Sequence, residues 1–247
     1  MKKFVLFLFI SCLTLSITKA NNVIGSQFLT VSATSGLSMR TAPGLSSDNI
    51  MIIPNGAEVE VILRETDPLV ETVEWTKGQW TYVKYGERKG YVFDGFLTNL
   101  PLPELMFEKV VSDLDLSTPL ISWAEHRFNE VKSVDTIIRN DIIKEIKVLA
   151  NGVILKKYSD QNLFKLKVEI DHIRIMDAYN LLLNMMDKED RVIFKNNSTF
   201  LKMNGAEIDK IKVDIDNPLI IQRLDENRIS ITVENPHLEC GLETVGC

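Results

Sequence analysis

The sequence predicts an all-β unit of short strands, followed by an α+β unit built on an antiparallel sheet. Three observations predict this. Between residues 26 and 100, turn signals recur about every eight to twelve residues and separate short apolar alternations. At Leu100–Glu104 (LPLPE), Pro101 and Pro103 bracket a stiff extended step, and the texture changes there. Beyond it, residues 101–247 alternate helical spacing with period-two strands, the pattern of an α+β domain.

In the first unit, Leu37 and Met39 alternate with Ser38 and Arg40, and Thr41-Ala42-Pro43-Gly44 turns the chain. Ile50 to Ile53 is a short strand that stops at the turn signal Pro54-Asn55-Gly56. Val59, Val61 and Leu63 alternate with Glu58, Glu60 and Ile62. Arg64 to Gly78 shows no strong period and reads as a loop. Trp80 to Tyr85 and Gly90 to Phe93 read as two strands joined by Gly86-Glu87-Arg88-Lys89. Period two places Trp80, Tyr82 and Lys84 on one face of the first strand and Thr81, Val83 and Tyr85 on the other.

Four blocks now stand in order: Gly36-Leu37-Ser38-Met39-Arg40-Thr41-Ala42-Pro43, Gly56-Ala57-Glu58-Val59-Glu60-Val61, Trp80-Thr81-Tyr82-Val83-Lys84-Tyr85 and Gly90-Tyr91-Val92. In order and spacing they resemble a bacterial Src-homology-3 (SH3-like) domain, a small barrel, over residues 26–100. The chain departs from that pattern at Tyr91, where the family more often has Trp, and in an acidic loop, Asp67 to Glu74, that lengthens a normally shorter connection. The resemblance implies an exported domain that binds cell-wall peptides or accompanies wall-active enzymes. Tyr82, Tyr91 and Phe93 are the candidate ligand-binding residues, because flat rings bury area at low entropy cost and stack on peptide or sugar. The competing reading is that a domain this small needs those rings for its core.

No family resemblance is recognised in the second unit, residues 101–247. Thr118-Pro119 is a helix start, with the hydroxyl as N-cap and proline in the first turn, and Leu120, Ile121, Ala124, Phe128 and Val131 follow at helical spacing. Ile146, Val148 and Ala150 lead into the hairpin signal Asn151-Gly152, with Val153 and Leu155 on the return. Leu166, Val168 and Ile170 mark a half-buried strand. Ala178, Leu181, Leu182 and Met185 mark a helix, and Asp187 to Arg191 a solvated turn after it. Ile211-Val213-Ile215 and Ile229-Ile231-Val233 are further strands around Leu219 to Arg223, and Asn196 to Thr199 is a polar turn. Two or three helices on one face of a half-buried sheet fit these spacings.

Lys2, Lys3 and the apolar run Phe4 to Ile17, ending at Thr18-Lys19-Ala20, form a secretory signal over residues 1–20, too short for an integral membrane span. Phe9-Ile10-Ser11-Cys12 is a weaker alternative, a lipoprotein box with Cys12 as the lipidated residue. Without its leader, the chain carries 25 basic and 34 acidic residues, a net charge of −9. That balance disfavours nucleic acid and anionic membrane surfaces as partners. Cys240 and Cys247 could close a small C-terminal disulfide loop in an oxidising compartment; two free thiols are the alternative.

No catalytic, metal or cofactor motif emerges. Cys240 and Cys247 have no helix behind them to act as an activated nucleophile. His126, His172 and His237 form neither an HExxH nor an HxH pair. Residues 101–247 hold 25 acids, so a carboxylate pair can always be nominated and identifies nothing. The expected function is therefore an exported, non-catalytic binding protein of the cell envelope. Its partner would be a peptide or peptidoglycan fragment, or another envelope protein. The alternatives are an inhibitor or immunity-type protein, or a cell-wall enzyme whose active surface lies in residues 101–247 without a visible motif.

Overall fold

A computed structural model describes residues 27–63, 68–104, 108–109, 114–128, 131–139, 142–159, 163–202 and 207–235. Residues 1–20, which include Cys12, as well as His237, Cys240 and Cys247, lie outside these residues.

The first unit is an antiparallel sheet. Its strands are β1 (Gln27–Val31), β2 (Leu37–Arg40), β3 (Asn49–Ile53), β4 (Glu58–Val61), β5 (Val70–Val73), β6 (Thr76–Tyr85), β7 (Arg88–Phe93) and β8 (Leu97–Thr98). They run in the order β3-β2-β7-β6-β4-β1-β8, with β5 paired to the start of β6. Alternation decides which side chains go inside. Val31, Met39, Ile53, Val59, Val83 and Val92 are fully buried in one core. Tyr85 packs against its edge.

The β6–β7 register places Trp80 opposite Phe93 and Tyr82 opposite Tyr91, on the face turned away from that core. Gly86 opens the two-residue turn with φ +56°, a conformation that costs glycine nothing. Gly90 answers to a different constraint. A Cβ there would lie 2.6 Å from Met39 Cγ and 2.8 Å from the Arg40 carbonyl oxygen, so its hydrogen lets β7 approach β2.

Arg64 to Gly78, expected as a loop, contains a hairpin between β5 and β6. The reason it escapes a sequence reading is its turn. Val73 pairs with Thr76 across Glu74 (φ +47°) and Trp75 (φ +68°). Both central residues take the left-handed conformation that usually calls for Asn-Gly, and neither has the expected chemistry.

The second unit begins with α1 (Ser117–Arg127) and continues with β9 (Val131–Arg139), β10 (Ile142–Leu149), β11 (Ile154–Ser159) and β12 (Phe164–Asp171). Then come α2 (Ile175–Asn184) and α3 (Lys188–Asn196), followed by β13 (Ser198–Leu201), β14 (Lys210–Val213), β15 (Leu219–Arg223) and β16 (Arg228–Asn235). The sheet order, β13-β14-β15-β16-β12-β11-β10-β9, is antiparallel throughout the described residues. Two four-stranded meanders, each preceded by helix, meet at their last strands. Asn151 (φ +58°) and Gly152 (φ +76°) make the β10–β11 turn as their sequence predicts.

Three expectations are corrected here. The Thr118 hydroxyl does not cap α1: the N-cap position is Leu116, with no side-chain cap, and the Asp115 carboxylate just before it accepts the Ser117 N–H (2.9 Å) and O–H (2.6 Å). Val131 belongs to β9, not to α1. Asp187 to Arg191 is no solvated turn but the start of α3, where the Asp187 carboxylate caps the Glu189 and Asp190 N–H groups (2.8 and 2.9 Å).

All ten residues of α2 are buried, which an ordinary surface helix never shows. Ala178, Leu181, Leu182 and Met185 enter the core of the second sheet and are fully buried. The opposite side meets the first unit. Asn184 Nδ2 donates to the Ser32 carbonyl (2.9 Å), and Arg174 at the helix start donates to the carbonyls of Asp94 (3.1 Å) and Leu97 (2.5 Å). Trp123 Nε1 donates to Pro101 O (2.8 Å), fixing α1 on the proline step that follows the first unit. Helix α2 thus packs between the two sheets, with hydrogen bonds to the first unit at both ends.

Candidate functional site

Of the outward rings on β6 and β7, Tyr82 and Tyr91 sit side by side, with centroids 5.0 Å apart and planes inclined by 59°. That tilt lets the positive edge of one ring approach the negative face of the other. The pair borders a groove of about 440 Å³. Pro43, Leu63, Leu69 and Trp80 also line it. Leu63 is 66 % exposed and Leu69 45 % exposed, so the groove carries apolar surface in contact with water.

Its base is held firmly. Trp80 is buried, and its Nε1–H donates to Glu71 Oε2 on β5 at 2.7 Å. At one end, Asp94 Oδ1 accepts the Gln79 N–H (2.7 Å). Burial raises the Asp94 pKa above the ordinary carboxylate value, against the opposing pull of Gln79 and Arg174. The lining therefore offers aromatic and proline faces, leucine side chains and one carboxyl group. These are groups that recognise an extended or ring-shaped ligand by stacking and contact.

The three predicted ligand-binding residues separate. Tyr82 and Tyr91 come together in the groove. Phe93, although on the same face as Tyr91, is only 2 % exposed. It packs edge-on against Trp80 (6.0 Å) and Phe96 (5.8 Å) on the side nearer α2. The other lining residues were not singled out by sequence. Trp80 carried a signal, since it shares the parity of Tyr82. Leu63 carried a misleading one: its alternation with Val59 and Val61 suggested core, whereas it stands exposed.

His126 lies in the last turn of α1 and His172 follows β12, both exposed and on separate elements. Among the described residues, no helix is long and apolar enough to cross a membrane.

Residues 35–98 match the family model of the bacterial SH3 domain. The first unit is therefore a bacterial SH3 domain, a class typical of cell-wall binding, and nothing identifies the α+β unit. No curated protein and no solved structure matches the chain.

Proposed function

We propose that this chain is an exported, non-catalytic binding protein of the bacterial cell envelope whose SH3 domain holds a peptide or peptidoglycan fragment in the Tyr82–Tyr91 groove. The observation that carries the reading is the ring pair itself, set beside Pro43 and the exposed Leu63 and Leu69 on a rigid hairpin. Stacking surfaces mounted on paired strands need little ordering when a ligand arrives, so more of the contact energy appears as affinity. The α+β unit supports the site mechanically, because α2 anchors the segment Asp94–Leu97 that leaves the hairpin.

The test is to incubate the full chain with purified peptidoglycan and to measure sedimentation of the protein together with release of soluble fragments. Co-sedimentation without release is expected. Steady release of fragments would mean that the chain is an enzyme; absence of co-sedimentation would remove the wall as its ligand.

A further inference from the structure

On the α2 side of the β6–β7 hairpin lies a second cavity, of about 440 Å³, between the two units. Trp80, Phe93 and Phe96 form one wall, and Met176, Tyr179 and Leu183 of α2 form the other. Trp75 and Phe200 line it together, with rings stacked 5.7 Å apart and planes within 9°. Trp75 comes from the SH3 domain and Phe200 from β13, so this stack spans the two units. It is not a core contact, because Trp75 is 61 % exposed. The Glu74–Trp75 turn holds a bulky residue at φ +68°, a strained conformation that surrounding contacts must maintain.

The charges at the cavity are the second observation. Arg40 donates Nη1 to the Ser47 carbonyl (2.6 Å), but its Nε is buried without a partner. A buried donor on a charged group is costly when unmatched, and an anion held beside this guanidinium offsets part of that cost through its charge. Lys195, in the last turn of α3, is exposed. Among the described residues neither cation forms an ion pair. Glu74 also lines the cavity and would repel a second negative charge on a ligand. The space falls within the range of small-molecule sites, which are mostly apolar with a few convergent polar groups.

We propose that this cavity between the units binds a small monoanionic amphiphile. Its apolar body lies between Trp80 and Phe93 on one side and α2 on the other. Its anionic head meets Arg40 and Lys195. The site is separate from the Tyr82–Tyr91 groove, and the two share Trp80 as a common wall.

The probe is 1-anilinonaphthalene-8-sulfonate, titrated into the folded full chain with excitation of tryptophan. One saturable equivalent is expected, with energy transfer from Trp75 and Trp80. Dodecanoate should displace it, and methyl dodecanoate should not. Arg40→Gln and Lys195→Gln should each weaken the probe by about tenfold, which is one decade of dissociation constant. Lys195 is exposed at a helix end, so that variant keeps the test valid if Arg40→Gln fails to fold. Tyr82→Ala, in the other groove, should leave probe affinity unchanged. The proposal is overturned by absence of stoichiometric binding, by equal affinity in Lys195→Gln, by equal competition from the methyl ester, or by loss on Tyr82→Ala.

Discussion

Arg174→Ala removes the cation that ties α2 to the SH3 domain, and the structure sets the size of the effect. The guanidinium donates to the Leu97 and Asp94 carbonyls and twice to the Asp177 carboxylate (2.7 and 3.0 Å). Its side chain is 40 % exposed, so the Coulomb part of the Asp177 pair is screened and counts for little. The two carbonyl bonds are charge-assisted but partly solvated, which brings them down to about 1–1.5 kcal/mol each, near an ordinary hydrogen bond. Asp177 is only 6 % exposed, but after the substitution it still accepts the backbone N–H of residue 174 (2.9 Å) and sits in the first turn of α2, where a negative charge is favoured. Its residual penalty is about 1 kcal/mol. The total expected loss is about 3–4 kcal/mol. Urea denaturation of the full chain measures it, and Arg174→Lys should recover less than half, since an ammonium cannot span both carbonyls and the carboxylate. A loss under about 0.5 kcal/mol would refute the view that α2 is hydrogen-bonded to the SH3 domain at this end.

Further expectations follow from burial and charge. Burial opposes ionisation of Glu169, but hydrogen bonds from Lys156 (2.5 Å) and Lys167 hold its pKa below the ordinary value, so its contribution is present above the unfolded pKa and lost as pH falls through the folded one. Glu169→Gln should therefore cost about 1–3 kcal/mol at neutral pH, with the gap to wild type closing in acid denaturation series. Asp94 behaves oppositely: with its folded pKa raised, it favours the folded state below the unfolded value and loses that advantage as pH rises through the folded one. Asp94→Asn, whose amide oxygen can still accept the Gln79 N–H, should gain stability over wild type as pH rises through this range, as read by thermal midpoints. Gly90→Ala would force a Cβ against Met39 and the Arg40 carbonyl, and should lower stability by about 1–3 kcal/mol in the same assay.

Where local chemistry agreed with the final environment, the elements were legible in advance. The β6–β7 hairpin shows this best: alternation separates Val83 from Trp80 and Tyr82, and the structure keeps that separation. The apolar spacing of Ala178, Leu181, Leu182 and Met185 likewise marks the buried core face of α2. What escaped was set by partners distant in sequence. Asn180 and Asn184 look like the solvent side of a helix, yet both are buried because the SH3 domain covers them. Glu74 and Trp75 do not announce a tight turn, and its geometry is held by strand pairing and by the Phe200 stack across the units. The charged run after Asp187 resembles a loop until Asp187 is recognised as a cap. In the groove, Tyr82 and Tyr91 were visible as a pair, whereas the parity that joins Phe93 to Tyr91 could not reveal that Trp80 and Phe96 bury it.

The most direct test of the proposed function is the binding of purified peptidoglycan fragments to wild type and to Tyr91→Ala, each measured alongside its thermal midpoint. Tyr91 is only half-buried and stands outside the apolar core, so the midpoint should stay close to wild type. Affinity should fall by about tenfold or more, since one stacking ring carries on the order of 1–2 kcal/mol. Fragment affinity equal to wild type at an unchanged midpoint would contradict the assignment of the Tyr82–Tyr91 groove as the binding site.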